Sequence, residues 1–228
     1  YKSGTHPRLN LFAKRDPDKI SQIRQTLRMS AELEQLADDP KRALIASAAI
    51  DVFSARGFSG TSMSHIAEQA GMSRPALYQY FDNKGDIFAC AFAALVEQQA
   101  DRALAALDEP GTVDKQLNGF LQNFDGAFWE RTAASPHGEE LLSATSEYAP
   151  KAVGLEMKRI RRGLETYLRR VAGGQRSAAE RARRNSWIDI LEFAPRGFKL
   201  DRPTLPAYRR RLTALARSVA SDIEVNSR

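Results

Sequence analysis

Cysteine is almost absent from this chain, because Cys90 is the one cysteine among 228 residues. A single cysteine cannot form an intramolecular disulfide, and disulfides are rare in reducing compartments, so we expect a cytoplasmic protein. Long apolar runs are also missing, since no stretch approaches the ~20 residues that a membrane-spanning helix needs. We therefore expect no membrane partner. The first residue is Tyr1 rather than Met, so we also expect further residues upstream.

Residue patterns that support catalysis are scarce as well. The three histidines, His6, His65 and His137, are far apart in sequence. No spacing of His, Cys and carboxylates suits a metal, and the sequence has neither a nucleophile elbow nor a phosphate-binding loop. We therefore expect no enzyme, no catalytic residue, no metal and no cofactor.

The formal net charge of +6 is unevenly distributed along the chain. Residues 39–86 hold five basic and five acidic side chains, whereas residues 158–228 hold 18 Lys or Arg against 7 Asp or Glu. Most of the surplus positive charge is therefore remote from residues 58–84, the stretch between Phe58 and Lys84. A role in DNA binding has to rest on the geometry of that stretch and not on net charge.

The residues between Phe58 and Lys84 predict two short helices joined by a tight turn. Gly71 can end the first helix in a left-handed conformation, and Ser73 can cap the second. Leu77 and Phe81, four residues apart, predict the inner face of the second helix. Two helices joined in this way form a helix-turn-helix, whose second helix fits the major groove of DNA.

The spacing IA-x-x-AG-x-S-x-x-x-LY-x-YF-x-x-K, which begins at Ile66, resembles the DNA-binding domain of the TetR family of bacterial repressors. The resemblance covers roughly residues 40–87 and implies an all-α fold. It implies a three-helix DNA-binding domain followed by a larger helical domain for effector binding and dimerisation. The expected domains are an N-terminal extension over 1–38, with a basic arm and an extra helix, a helix-turn-helix domain over 39–86, and the ligand-binding and dimerisation domain over 87–228.

The same resemblance implies which side chains contact DNA. Arg74 would donate two hydrogen bonds to a guanine edge, and Gln79 would read adenine or touch a phosphate. Tyr80 would contact a phosphate or belong partly to the core, two alternatives that the sequence leaves open. The full expected DNA-binding set is Thr61, Ser62, Ser64, Ser73, Arg74, Pro75, Ala76, Tyr78, Gln79, Tyr80 and Lys84.

From residue 113 onward, five further helices are expected at approximately 113–132, 136–148, 151–172, 178–196 and 204–223. Family members enclose a ligand cavity in this region, so an apolar or aromatic effector is expected, with an acidic ligand as the alternative. An aromatic stripe at helical spacing can equally belong to the core. The candidate ligand-binding residues are Phe120, Phe124, Phe128, Trp129, His137, Tyr148 and Tyr167.

The last two helices are the usual dimer surface of the family, and their apolar stripes suit a four-helix interface. An ordinary core within one chain would produce the same stripes. The candidate interface residues are Trp187, Ile188, Leu191, Leu212, Leu215 and Val219.

Together these features predict a DNA-binding transcriptional regulator that acts as a homodimer. The expected mode is repression, with a small molecule releasing the protein from a pseudo-palindromic double-stranded operator. Two alternatives remain open, a constitutive DNA-organising protein and a helical ligand-binding or scaffold protein without a DNA function.

Overall fold

The structure, a computed structural model, describes residues 39–173 and 177–226, and every regular element within these ranges is helical. The all-α expectation is confirmed for this part of the chain. The expected basic arm and extra helix over residues 1–38 lie outside it. The helices are α1 (Pro40–Arg56), α2 (Met63–Gln69), α3 (Arg74–Tyr78), α4 (Lys84–Ala106), α5 (Val113–Leu121), α6 (Ala127–Ala134), α7 (Gly138–Tyr148), α8 (Pro150–Val171), α9 (Ala178–Gly197) and α10 (Leu205–Asn226).

The N-terminal helices begin and end at residues whose chemistry suits those positions, and Gly71 ends the second as predicted. The Asp39 carboxylate accepts hydrogen bonds from the first N–H groups of α1, and Pro40 occupies the position where its missing N–H costs nothing. Ser62 caps α2 through the N–H of His65 at 3.2 Å. Gly71 ends this unit with a φ of +67°, a conformation that is strained for residues with a Cβ.

Two hydrophobic cores hold the helices together. The first combines α1–α3 with the first two turns of α4, and it extends from Ile45 to Ala91 with Ala144 of α7 added. The second runs from Ala100 to Ile223 and joins the rest of α4 with α5, α8, α9 and α10. Helix α4 therefore contributes to both cores, so it mechanically connects the helix-turn-helix to the C-terminal helices.

The segment expected as one helix over 113–132 contains a π-helical turn, which covers Gln122–Gly126 between α5 and α6. Side chains of this turn bond neighbouring elements, since the Gln122 amide donates to the Arg209 carbonyl at 3.0 Å. Hydrophobic periodicity does not reveal one extra residue in a turn, which is why the sequence did not indicate this feature. No helix in the described part of the chain is long and apolar enough to cross a bilayer.

Candidate nucleic-acid interface

Helix α3 presents one apolar and one polar face. Leu77 is fully buried against the first core, with Phe81 just beyond the end of the helix also buried. Both are therefore confirmed as the inner face. The side chains of Arg74, Tyr78 and Gln79 are exposed on the opposite side, together with Pro75. The outward set thus matches the part of the helix expected to face a DNA groove.

Arg74 and Tyr78 form a small surface pair one helical turn apart. The guanidinium of Arg74 donates a hydrogen bond of 3.3 Å to the Tyr78 hydroxyl and lies 5.6 Å from the centre of its ring. Such an exposed contact is weak, so the guanidinium can leave it for a better acceptor. A guanine edge, with two acceptors in the plane of the base, is such an acceptor.

Two of the expected DNA contacts are turned into the protein. The hydroxyl of Thr61 is buried and donates to the Gly57 carbonyl at 2.6 Å. The ammonium of Lys84 donates to the Phe58 carbonyl at 2.8 Å and to the Thr61 carbonyl at 3.0 Å, with the Ser59 carbonyl at 3.5 Å. Both polar groups are bonded within the chain, so the expected DNA contacts of Thr61 and Lys84 would require these bonds to break and stay predictions.

The remaining residues of the expected DNA-binding set are exposed or half-buried. Ser73 caps α3 through the N–H of Ala76 at 3.3 Å, and its side chain stays exposed. Ser62 is half-buried as the cap of α2, while Ser64 is exposed on the outer side of that helix. Ala76 and Tyr80 are half-buried, and the Tyr80 ring packs against the first core. The phosphate and core alternatives for Tyr80 therefore both remain compatible with its position.

Arg42 of α1 has a supporting role that the sequence did not indicate. Its guanidinium donates to the Tyr80 carbonyl at 2.7 Å and lies 4.3 Å from the centre of the Phe81 ring. A cation at this point satisfies a carbonyl left open where α3 ends and complements the negative end of the helix. The sequence signal for this contact is a basic residue near the start of α1.

Two short helices crossed over a shared core, with the second exposing an arginine and other polar side chains, define a helix-turn-helix unit of the kind that places its second helix in the major groove of DNA. Residues 45–91 match the model described as bacterial regulatory proteins, tetR family. This domain of the chain is therefore similar to the DNA-binding domain of the TetR family.

Two curated relatives are transcriptional regulators with a helix-turn-helix. The uncharacterized HTH-type regulator YezE of Bacillus subtilis is 30% identical over 80 residues, which are 35% of this chain and 41% of the relative. The HTH-type transcriptional repressor SCO4008 of Streptomyces coelicolor is 29% identical over 118 residues, or 46% of this chain and 59% of the relative. The chain thus covers less than two thirds of the length of either relative.

The fold extends the similarity beyond the DNA-binding domain. A TetR-family transcriptional regulator from Streptomyces coelicolor superimposes with a TM-score of 0.54 over 82% of this chain and 81% of that one. Its sequence identity to this chain is 19%. At that identity the comparison establishes a shared fold, with an N-terminal helix-turn-helix and a larger helical part behind it.

The candidate ligand residues do not converge on one site. Phe120 and Tyr167 are buried in the second core, where the Tyr167 hydroxyl donates to the Gln116 amide oxygen at 2.8 Å and burial raises the pKa of Tyr167 to about 12. Tyr148 packs against the helix-turn-helix domain, and Phe124 is partly buried against the second core. Of the seven candidates, Phe128, Trp129 and His137 line an open cleft between α6, α7 and residues 199–205.

The candidate dimer residues belong to the interior of one chain. Five of the six are buried in the second core, and Leu215 is partly buried against it. The Trp187 indole also donates to the Asp222 carboxylate at 2.7 Å, which ties α9 to α10. Burial within one chain accounts for these stripes without a partner, so the interface at these residues stays a prediction, because amphipathic stripes cannot distinguish a core within a chain from an interface between chains.

Proposed function

We propose that this protein is a transcriptional regulator that binds double-stranded operator DNA as a homodimer and is released by a small molecule, most simply acting as a repressor. The observation that supports this proposal best is the outward placement of Arg74, Tyr78 and Gln79 on a helix anchored by buried Leu77. Because the proposed target is DNA, we propose a cytoplasmic location. We propose no enzymatic activity.

A single α3 makes too few contacts for selective binding, so we propose a two-fold dimer on a pseudo-palindrome. The exposed apolar side chains Ile190 and Phe193, with 43% and 50% of their surfaces accessible, suit the interface better than the buried residues named above. They lie three residues apart and so share the outer face of α9. A second copy that covers this face would remove both side chains from water.

Selection of DNA from a random duplex pool tests the proposed function. The expected result is a set of related sequences with two inverted half-sites, whose binding weakens steeply as salt rises. A helical scaffold protein would enrich no sequence. A DNA-organising protein would retain DNA without a shared motif, so recovery of DNA with no common half-site would overturn the regulator proposal.

A further inference from the structure

Helix α7 of the C-terminal part docks onto the loop that precedes the two reading helices. The Glu140 carboxylate accepts a hydrogen bond from the N–H of Ser59 at 2.5 Å, and this bond lowers the pKa of Glu140. At the other end of α7, the Tyr148 ring stacks on Phe58 with 4.6 Å between ring centres. Two side chains of one helix therefore hold a loop of the DNA-binding domain.

The DNA-binding domain receives these two side chains at glycines. Gly57 has a φ of +71°, and a Cβ at this position would collide with the Glu140 carboxylate. A Cβ at Gly85, in the first turn of α4, would lie 2.7 Å from Cε1 of Tyr148. The Glu140 carboxylate is the end of a flexible side chain and can move aside from a Cβ at residue 57, whereas a Cβ at residue 85 would press on the Tyr148 ring and so on α7.

The same helix forms one wall of an apolar cavity that lies beside the first core. The cavity has a volume of about 80 Å³, and helices α1, α4 and α6 form its other walls. Four phenylalanines dominate its surface, and polar atoms enter mainly through Ser54, Arg131 and Thr145. The phenylalanines are Phe53, Phe88, Phe92 and Phe128. An apolar ligand with a ring suits this lining, since few buried polar groups would be left without a partner.

The cavity is partly open to solvent, so a ring can enter it, but full burial of the ring requires one wall to move. Apolar cavities of about 150 Å³ hold a benzene molecule, so a ring needs more room than this cavity offers. Helices α6 and α7 both lack a side-chain cap and bury few residues, with Gly138, Ala144 and Thr145 buried in α7. Of these two walls, α7 is the one whose Glu140 holds Ser59 of the loop. The walls contributed by α1 and α4 belong to the first core and resist displacement.

We propose that this cavity binds a small apolar ring compound, and that the ligand displaces α7 and breaks its contacts with residues 57–60. This inference rests on the proposed function, because it names the ligand class and the site of the effector. Helix α2 follows the loop directly and shares the first core with α3, so loss of the Glu140 and Tyr148 contacts changes the position of α3 relative to the C-terminal helices. The ligand shifts the equilibrium toward the displaced state because it binds that state more tightly than the docked state.

Toluene is the probe for the site, with benzoate as a charged control of similar size. In methyl NMR spectra of the full chain, toluene should shift the Ala91, Leu141 and Thr145 methyl signals saturably, whereas benzoate should not. The Ala91→Leu variant, which extends a side chain into the cavity, should lose the toluene shifts. Absence of saturable shifts in the wild type overturns the proposed site, whether or not the variant folds.

DNA affinity in the presence of toluene tests the coupling. Toluene should weaken binding of the wild type to selected DNA by about tenfold, within the usual range for linked sites. The double variant Glu140→Gln, Tyr148→Ala should still show the methyl shifts, but its DNA affinity should no longer respond. Tyr148→Phe, which keeps the stacked ring, and Ser146→Ala, an exposed change on α7, should both respond as the wild type does.

An unchanged DNA affinity despite saturable methyl shifts would overturn the coupling. Failure of the proposed function looks different, because the protein would then bind no DNA even without toluene. In that case the methyl shifts still decide whether the cavity takes an apolar ring.

Discussion

The ammonium group of Lys84 bonds carbonyl oxygens that all belong to residues 58–61, and it also lies 4.6 Å from the centre of the Phe58 ring. Lys84 therefore fixes the loop before α2 to the first turn of α4. We expect Lys84→Met to lower the free energy of unfolding by about 1.5–3 kcal/mol, the usual loss for hydrogen bonds to a charged group. Urea denaturation measures this change.

Lys41→Met is the matched control, since Lys41 is exposed at the start of α1 and should change the unfolding free energy little. Unchanged stability of the Lys84 variant, combined with weakened DNA binding, would show instead that Lys84 contacts a phosphate.

Asp125 and Lys199 form a largely buried ion pair, with 3.4 Å between the Asp125 Oδ1 and Lys199 Nζ atoms. Burial raises the pKa of Asp125 and lowers the pKa of Lys199, so the interior disfavours both charges. Asp125→Leu or Lys199→Met alone should cost about 3–5 kcal/mol, because each leaves one unpaired buried charge. The double variant should be close to wild type. Thermal unfolding of the three variants gives the comparison, and additive losses would contradict this account of the pair.

Among the elements, helix ends and inner faces could be predicted because they depend on local chemistry. Asp39, Pro40 and Gly71 fix their turns through caps and backbone conformation, and Leu77 follows from helical spacing alone. The roles of Thr61 and Lys84 could not be predicted, because their partners are set by how the loop folds back in three dimensions. The buried stripes of α9 and α10 were ambiguous for a related reason, since burial within and between chains has the same sequence pattern.

The role of Gly85 could not be predicted either, because it depends on the docking of α7, a contact that forms only in the folded chain. Residue patterns alone indicate no reason for glycine at this position. The structure supplies one, because the Tyr148 ring occupies the space that a Cβ would need.

We expect Gly85→Ala to disturb the docking of α7 on the first turn of α4. Overpacking at such a contact costs about 1–3 kcal/mol. Adding Tyr148→Ala should recover most of the loss, because it removes the ring that the new methyl group meets. Urea denaturation of the single and double variants measures the coupling. Equal losses with and without the Tyr148 ring would rule out this explanation of the glycine.

At the scale of the whole molecule, the proposed dimer depends on the outer face of α9. Ile190→Glu together with Phe193→Glu should dissociate the dimer, because two charges would have to be buried where apolar side chains met. Sedimentation at micromolar concentration should then show monomers, with a loss of DNA affinity. Leu200→Glu is the control, since Leu200 is also exposed but lies outside α9. A dimer that survives the double change would place the interface elsewhere.

The most direct test of the account is the affinity of the Arg74→Ala variant for the DNA that the wild type selects. Loss of a bidentate arginine–guanine contact should cost about 1–3 kcal/mol and relax the preference at one base position. Arg217→Ala, which removes an exposed arginine of α10, should leave both affinity and preference unchanged. If Arg74→Ala bound the selected DNA as tightly as wild type and with the same base preference, α3 would not be the element that reads sequence.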